Sequence, residues 1–162
     1  MSTAINWYES GNALYAAGNV QQAVAAYQKA IDSRPNFPDA HNNLGNALSA
    51  LGDRTSAVDS YRRAIALRPD FFEAHHNLAA VLQSLGRYDE SAESYRNALR
   101  YNPDLPPQVY NQLGIVLMHI GEFEAAADSF RQAVSLRPDF VEGLNNLANA
   151  LHKLERGGEA IG

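Results

Sequence analysis

The chain has 162 residues, 46% apolar and 19% charged, with a formal net charge of −5 and no cysteine. That is the composition of a soluble folded protein, and it excludes disulfides, thiolate metal sites and cysteine nucleophiles. The acidic balance argues against general binding to nucleic acid or to anionic lipid, and no apolar run approaches the ~20 residues of a membrane span. The opening MSTAINWYES lacks the basic start and apolar stretch of a secretory signal, so the cytoplasm is the default location.

In chain order, Ser2 and Thr3 are candidate caps of a first helix that carries Trp7 and Gly11. Trp7 is expected to pack inside its own hairpin. Gly18 marks a turn, and a second helix with Tyr27 and Ala30 ends before Pro35. The stretch from Pro38 to Phe71, PDAHNNLGNALSALGDRTSAVDSYRRAIALRPDF, shows the unit most clearly. Ala40, Leu44, Gly45 and Leu48 recur at spacings of three and four, as one face of a helix does. Gly52 breaks that pattern, residues Asp53 to Ser56 supply caps, and Ala57, Tyr61, Ala64 and Ile65 carry the apolar face of a second helix.

The unit then repeats. Pro35, Pro69 and Pro103 stand 34 residues apart, and Pro138 follows 35 after Pro103, with the extra residue assigned to Pro106-Pro107. In step come the small residues Gly11, Gly45, Ala79, Gly114 and Ala148, the aromatics Tyr27, Tyr61, Tyr95 and Phe130, and the turn glycines Gly18, Gly52, Gly86 and Gly121. All seven prolines fall between helices or at a helix start, where a missing N–H costs little. The fifth unit begins with Val141, Leu144, Leu147, Ala148 and Leu151 and then reads Glu155-Arg-Gly-Gly-Glu-Ala-Ile-Gly. Helix 141–154 is expected to act as a cap with a frayed tail, or, since Ala160 sits where a second helix should be under way, the chain is a fragment of a longer repeat protein.

This pattern resembles the tetratricopeptide repeat. The resemblance implies an all-α fold, a right-handed superhelical solenoid of antiparallel helix hairpins. Its units are 4–37, 38–71, 72–105 and 107–140, with a partial fifth at 141–162, in a single repeat domain over 1–162. In the family, first helices line the concave wall. Here that wall carries carboxamides and histidine: Asn12; Asn42, Asn43 and Asn46; His76 and Asn77; Asn111 and Gln112; Asn145, Asn146 and Asn149. An amide both donates and accepts, so this set is suited to pair with the backbone of an extended peptide. Asn43, Asn77 and Asn146 occupy one register of successive units. The alternative for each is a bond to a neighbouring helix.

Of the 13 Lys and Arg residues only Lys153 is assigned to a first helix, while Glu9, Asp39, Glu73 and Glu142 lie on that wall. A neutral or basic protein or peptide is therefore the expected partner, with no nucleic acid and no membrane. Arg62, Arg63, Arg96, Arg100 and Arg131 are read as an outer, solvated surface. One branch of the family clamps C-terminal carboxylates with two Asn and three basic residues. Asn12 and Asn43 match its Asn places, but Tyr8, Glu73 and Asn77 stand at the basic ones, so carboxylate capture is rejected. The segments AHNNLGNAL, AHHNLAAVL and GLNNLANAL are similar to the repeats of the O-linked N-acetylglucosamine transferases, whose first helices carry an Asn ladder. Asn43, Asn77 and Asn146 match it, Gln112 nearly matches, and Glu9 departs from it.

No phosphate loop, nucleophile elbow or zinc motif is present, and His75-His76 point about 100° apart on a helix. The expectation is therefore no catalytic residue, no cofactor and no metal. The leading function is a non-catalytic scaffold for an extended peptide. The alternatives are the substrate-recruiting arm of a larger enzyme such as a glycosyltransferase, and head-to-tail self-association of helix 141–154 with another copy near Trp7 and Leu14.

Overall fold

Glycine turns and proline joints cut residues 3–136 into eight helices of 13 or 14 residues. The computed structural model describes residues 3–159, with side chains to Glu155. Among the described residues the fold is all-α, with nine helices: α1 (Thr3–Ala16), α2 (Val20–Ser33), α3 (Pro38–Ala50), α4 (Arg54–Leu67), α5 (Phe72–Ser84), α6 (Tyr88–Tyr101), α7 (Pro107–Ile120), α8 (Phe123–Leu136) and α9 (Val141–Glu159). Ser2 and Ala160 lie outside the described residues.

Two compact units divide the chain, Met1–Val81 and Leu82–Gly162. In the first, α1 packs on α2, α2 on α3 and α3 on α4; in the second, α6 packs on α7, α7 on α8 and α8 on α9. The α5 helix begins in the first unit and gives its last turn to the second.

Each hairpin turns at a glycine with positive φ; Gly121 (φ +83°) closes α7 in the left-handed conformation that only glycine adopts without strain. The expected cap of α4 is present, with Asp53 Oδ1 accepting from the Ser56 N–H at 3.1 Å. In the hairpins of α1–α2, α3–α4 and α7–α8 the second-helix aromatic lies on the small residue of the first. A Cβ built on Gly11 or Gly45 would sit 2.6 Å from the ring of Tyr27 or Tyr61, and one on Gly114 would sit 2.4 Å from Phe130.

The joints between hairpins are also alike. Residues 34–37, 68–71 and 137–140 form four-residue loops in which Arg34, Arg68 and Arg137 stack on Phe37, Phe71 and Phe140 at 4.0, 3.6 and 4.2 Å from the ring centres. The third joint, 102–106, is one residue longer, which places the extra residue where the prolines predict it. It lacks the Arg–Phe pair, and the Asn102 side chain instead accepts from the Asp104 N–H at 3.1 Å. His41 Nε2 lies 3.0 Å from the Pro35 carbonyl and His75 Nε2 2.9 Å from that of Pro69; in the fourth unit Tyr110 Oη donates to Pro103 O at 2.8 Å. Trp7 holds this place in the first unit, packed on the α1–α3 core with Lys29 of its own hairpin over the ring at 4.2 Å.

The fifth unit departs from expectation. The α9 helix continues through Gly157 and Gly158 to Glu159 instead of fraying after residue 154, and so carries Arg156 as well as Lys153. The turn position 34 residues after Gly121 is Glu155, which has no special access to the left-handed region, so the helix runs on.

Candidate functional site

The carboxamides of the first helices form a ladder, and its rungs join the helices to one another. In the first unit Asn43 Nδ2 donates to Tyr8 Oη (3.1 Å) and Asn12 Oδ1 (2.9 Å), two residues four apart on α1. Asn77 Nδ2 repeats this one unit on, donating to Asn42 Oδ1 and Asn46 Oδ1, both at 3.1 Å. Each of these amides thus straddles one turn of the preceding first helix, with both N–H groups occupied. Asn42 Nδ2 closes the set by donating to Asn43 Oδ1 at 3.2 Å. The second-helix rings join from beneath: Tyr27 Oη donates to Asn12 Oδ1 (2.9 Å) and Tyr61 Oη to Asn46 Oδ1 (2.8 Å). Burial pushes the Tyr27 hydroxyl pKa up to about 12 and also raises that of Tyr61.

In the second unit the same construction is thinner. Gln83 Oε1 accepts from Tyr95 Oη (3.2 Å), and Gln83 Nε2 donates to Gln112 Oε1 (3.3 Å). Asn146 Nδ2 donates to Asn111 Oδ1 at 2.9 Å, and Asn111 Nδ2 to Glu142 Oε1 at 2.9 Å. The acceptor four residues beyond Asn111 is missing, because Ile115 stands there.

The expected wall residues therefore fall into three groups. Asn42 and Asn111 are buried. Asn12, Asn43, Asn46, His76, Asn77, Gln112 and Asn146 are half-buried, and Asn145 and Asn149 are exposed. Burial lowers the His76 pKa below the ordinary imidazole range, so it adds no charge at neutral pH. Asp39 also differs from the expected open anion, since Arg68 Nη2 lies 2.6 Å from its Oδ1. Arg62, Arg63, Arg96, Arg100 and Arg131 are exposed, as read from the sequence; Arg96 and Glu122 form an ion pair on that surface.

Among the described residues, clefts open against the first helices in both units. One of about 230 Å³ is lined by Asn12, Tyr15, Tyr27, Asn43 and Asn46. A second, of about 320 Å³, lies one repeat on and includes Tyr15, Asn46, Ser49, Tyr61 and Asn77. The third, of about 270 Å³, is in the second unit and is lined by Ile115, Met118, His119, Phe130, Asn146 and Asn149. The His119 ring is stacked on Tyr88, with centroids 4.3 Å apart and planes 2° from parallel. The second-helix rings thus form cleft floors as well as core, a role that a reading of them as packing residues misses. The signal for it is the shared 34- or 35-residue offset of Tyr27, Tyr61 and Phe130 with the cleft amides. Among the described residues no three His, Asp or Glu side chains are grouped to hold a metal ion, and no helix is long and apolar enough to cross a membrane.

The TPR repeat model matches residues 11–52 and 46–86, and the tetratricopeptide repeat model matches residues 70–139. No curated protein sequence gives a significant match. Among solved structures, a crystal structure of MamA protein superposes with a TM-score of 0.87 at 21% identity, covering 98% of this chain and 86% of its own. MamA AMB-1 gives 0.84 at 25% identity over 97% and 85%. MamA 41-end from Desulfovibrio magneticus RS-1 gives 0.81 at 20% over 98% and 95%. Likeness at this level of identity speaks to the fold, while the repeat models, running from residue 11 to 139, speak to ancestry: the chain belongs to the tetratricopeptide-repeat family.

Proposed function

We propose that the chain is a non-catalytic scaffold that holds an extended peptide segment of a protein partner along its first helices. The observation that carries this reading is the recurrence of clefts of 230–320 Å³ on that wall, each lined by ladder carboxamides and floored by a second-helix ring. Buried Asn42 and Asn111 hold the ladder together, and the half-buried or exposed Asn12, Asn43, Asn46, His76, Asn77, Gln112, Asn145, Asn146 and Asn149 meet the peptide. Glu9 and Glu73 are exposed on first helices while Asp39 is paired with Arg68, which favours a neutral or basic segment over an acidic one. Nucleic acid and membrane surfaces are disfavoured by the net charge of −5.

The test is to pan a random-peptide phage library on the immobilised full chain. Enriched peptides are then titrated calorimetrically into wild type, Asn43→Ala, Asn77→Ala and Asn146→Ala. Each substitution is expected to weaken binding about two- to tenfold, the effect of one net hydrogen bond, accepted by Oδ1 of Asn43 or Asn77 or donated by Asn146. No enrichment, or unchanged affinity in all three variants at native helicity, overturns the reading.

A second reading, head-to-tail self-association, is favoured by α9. Val141 (67% exposed), Leu144 (43%) and Leu151 form an apolar stripe on its outer side, with the exposed Ala148 between them. Light scattering over a concentration series is expected to show mass rising with concentration in wild type but not in Leu144→Lys/Leu151→Lys. A constant monomer mass in wild type discards this reading.

A further inference from the structure

We infer that the cleft in the second unit is a specificity subsite that takes one uncharged apolar side chain of the bound peptide while Asn146 pairs with that residue's backbone. This inference rests on the peptide-binding reading above and adds which residue class is selected, and where.

The argument starts from register. In the first unit the ladder amide donates to two acceptors four residues apart, Tyr8 and Asn12 for Asn43, Asn42 and Asn46 for Asn77. The corresponding pair for Asn146 is Asn111 and residue 115. Asn111 accepts at 2.9 Å, but residue 115 is isoleucine, which accepts nothing. One Asn146 N–H is therefore left toward the cleft, where Asn43 and Asn77 have none to give.

A second substitution changes the same place. The floor aromatic is Phe130 instead of tyrosine, so no hydroxyl rises from below as Tyr27 and Tyr61 do. Ile115, Met118 and Phe130 supply the apolar part of the lining, and Asn146, Asn149 and the stacked His119 ring the polar part. Among the described residues no carboxylate, ammonium or guanidinium lines this cleft. A charged side chain entering it would lose hydration without gaining a partner, whereas an apolar one gains burial. An amide with an N–H to spare beside an apolar lining matches an extended residue whose carbonyl accepts from Asn146 and whose side chain points inward.

The first unit supplies the control variant. Ile115→Asn with Phe130→Tyr rebuilds the Asn12–Tyr27 pair and returns to Asn146 its second acceptor, using residue types that this fold already accommodates at the same register. Phage selection is run on the wild-type chain and on this double variant, with Ile115→Asn alone as a milder form and circular dichroism to verify helicity. Wild-type peptides are expected to share a Leu, Ile, Met or Phe at one fixed position. Selection on the double variant loses that preference, and a wild-type peptide binds it about tenfold more weakly, while alanine at the shared position removes the difference. Enriched peptides without an apolar consensus, or with equal affinity for the two folded proteins, overturn this inference and leave peptide binding standing. No enrichment on wild type removes both.

Discussion

Tyr61→Ala is expected to lower the unfolding free energy by about 3–5 kcal/mol, the range for removing a buried aromatic side chain from a core. Tyr61 is 2% exposed and its ring lies flat on Gly45, which has no side chain to swing into the space left behind. The change also removes the hydroxyl that donates to Asn46 at 2.8 Å, so the ladder loses support where Asn77 is attached. Tyr61→Phe separates the two contributions: it keeps the ring and loses only the hydrogen bond, for about 0.5–1.5 kcal/mol. Urea unfolding followed by circular dichroism measures both. A loss below about 1 kcal/mol for Tyr61→Ala would mean that the ring is not the keystone of its hairpin.

The converse change comes second. Gly114→Val is expected to cost about 3 kcal/mol, the upper part of the usual range for overpacking. A Cβ at this place falls 2.4 Å from Phe130 Cε1 and 2.7 Å from its Cδ1 and Cζ, and a fully buried ring has nowhere to retreat. Helix propensity acts the other way, since glycine is the poorer helix former, but by less than about 1 kcal/mol. Gly114→Ala brings the same Cβ against Phe130 and is also expected to destabilise, by less than valine because it lacks the two further methyls. Thermal melting of the two variants beside wild type reads the order. A valine variant as stable as wild type would show that α7 and α8 can slide apart freely.

The hairpins were legible in the sequence because their causes are local. A glycine where φ must be positive, a proline where no N–H is needed, and a small residue beneath an aromatic can each be read within one unit. Asp53 as a cap and the extra residue before Pro107 follow from the same local chemistry. The partners of the amides were not legible. Asn43 and Asn77 reach back 31 and 35 residues, and those offsets follow from how one hairpin settles on the last, which spacing within a unit does not specify. For the same reason the sequence could not tell buried Asn42 from half-buried Asn43, its neighbour, or pair Asp39 with Arg68 across 29 residues. The length of α9 was missed for a different reason: Gly157 and Gly158 draw the eye, yet the turn register falls on Glu155.

That glutamate separates two jobs which repeat proteins usually perform together. Adhesion between neighbouring hairpins is carried by rings, small residues and amides, whereas folding back is decided at a single backbone position that touches none of them. Punctuation can therefore be edited without rewriting the glue. A turn glycine with nothing within 4 Å of its Cβ position can be exchanged while the seats of Tyr61 on Gly45 and of Phe130 on Gly114 stay as they are.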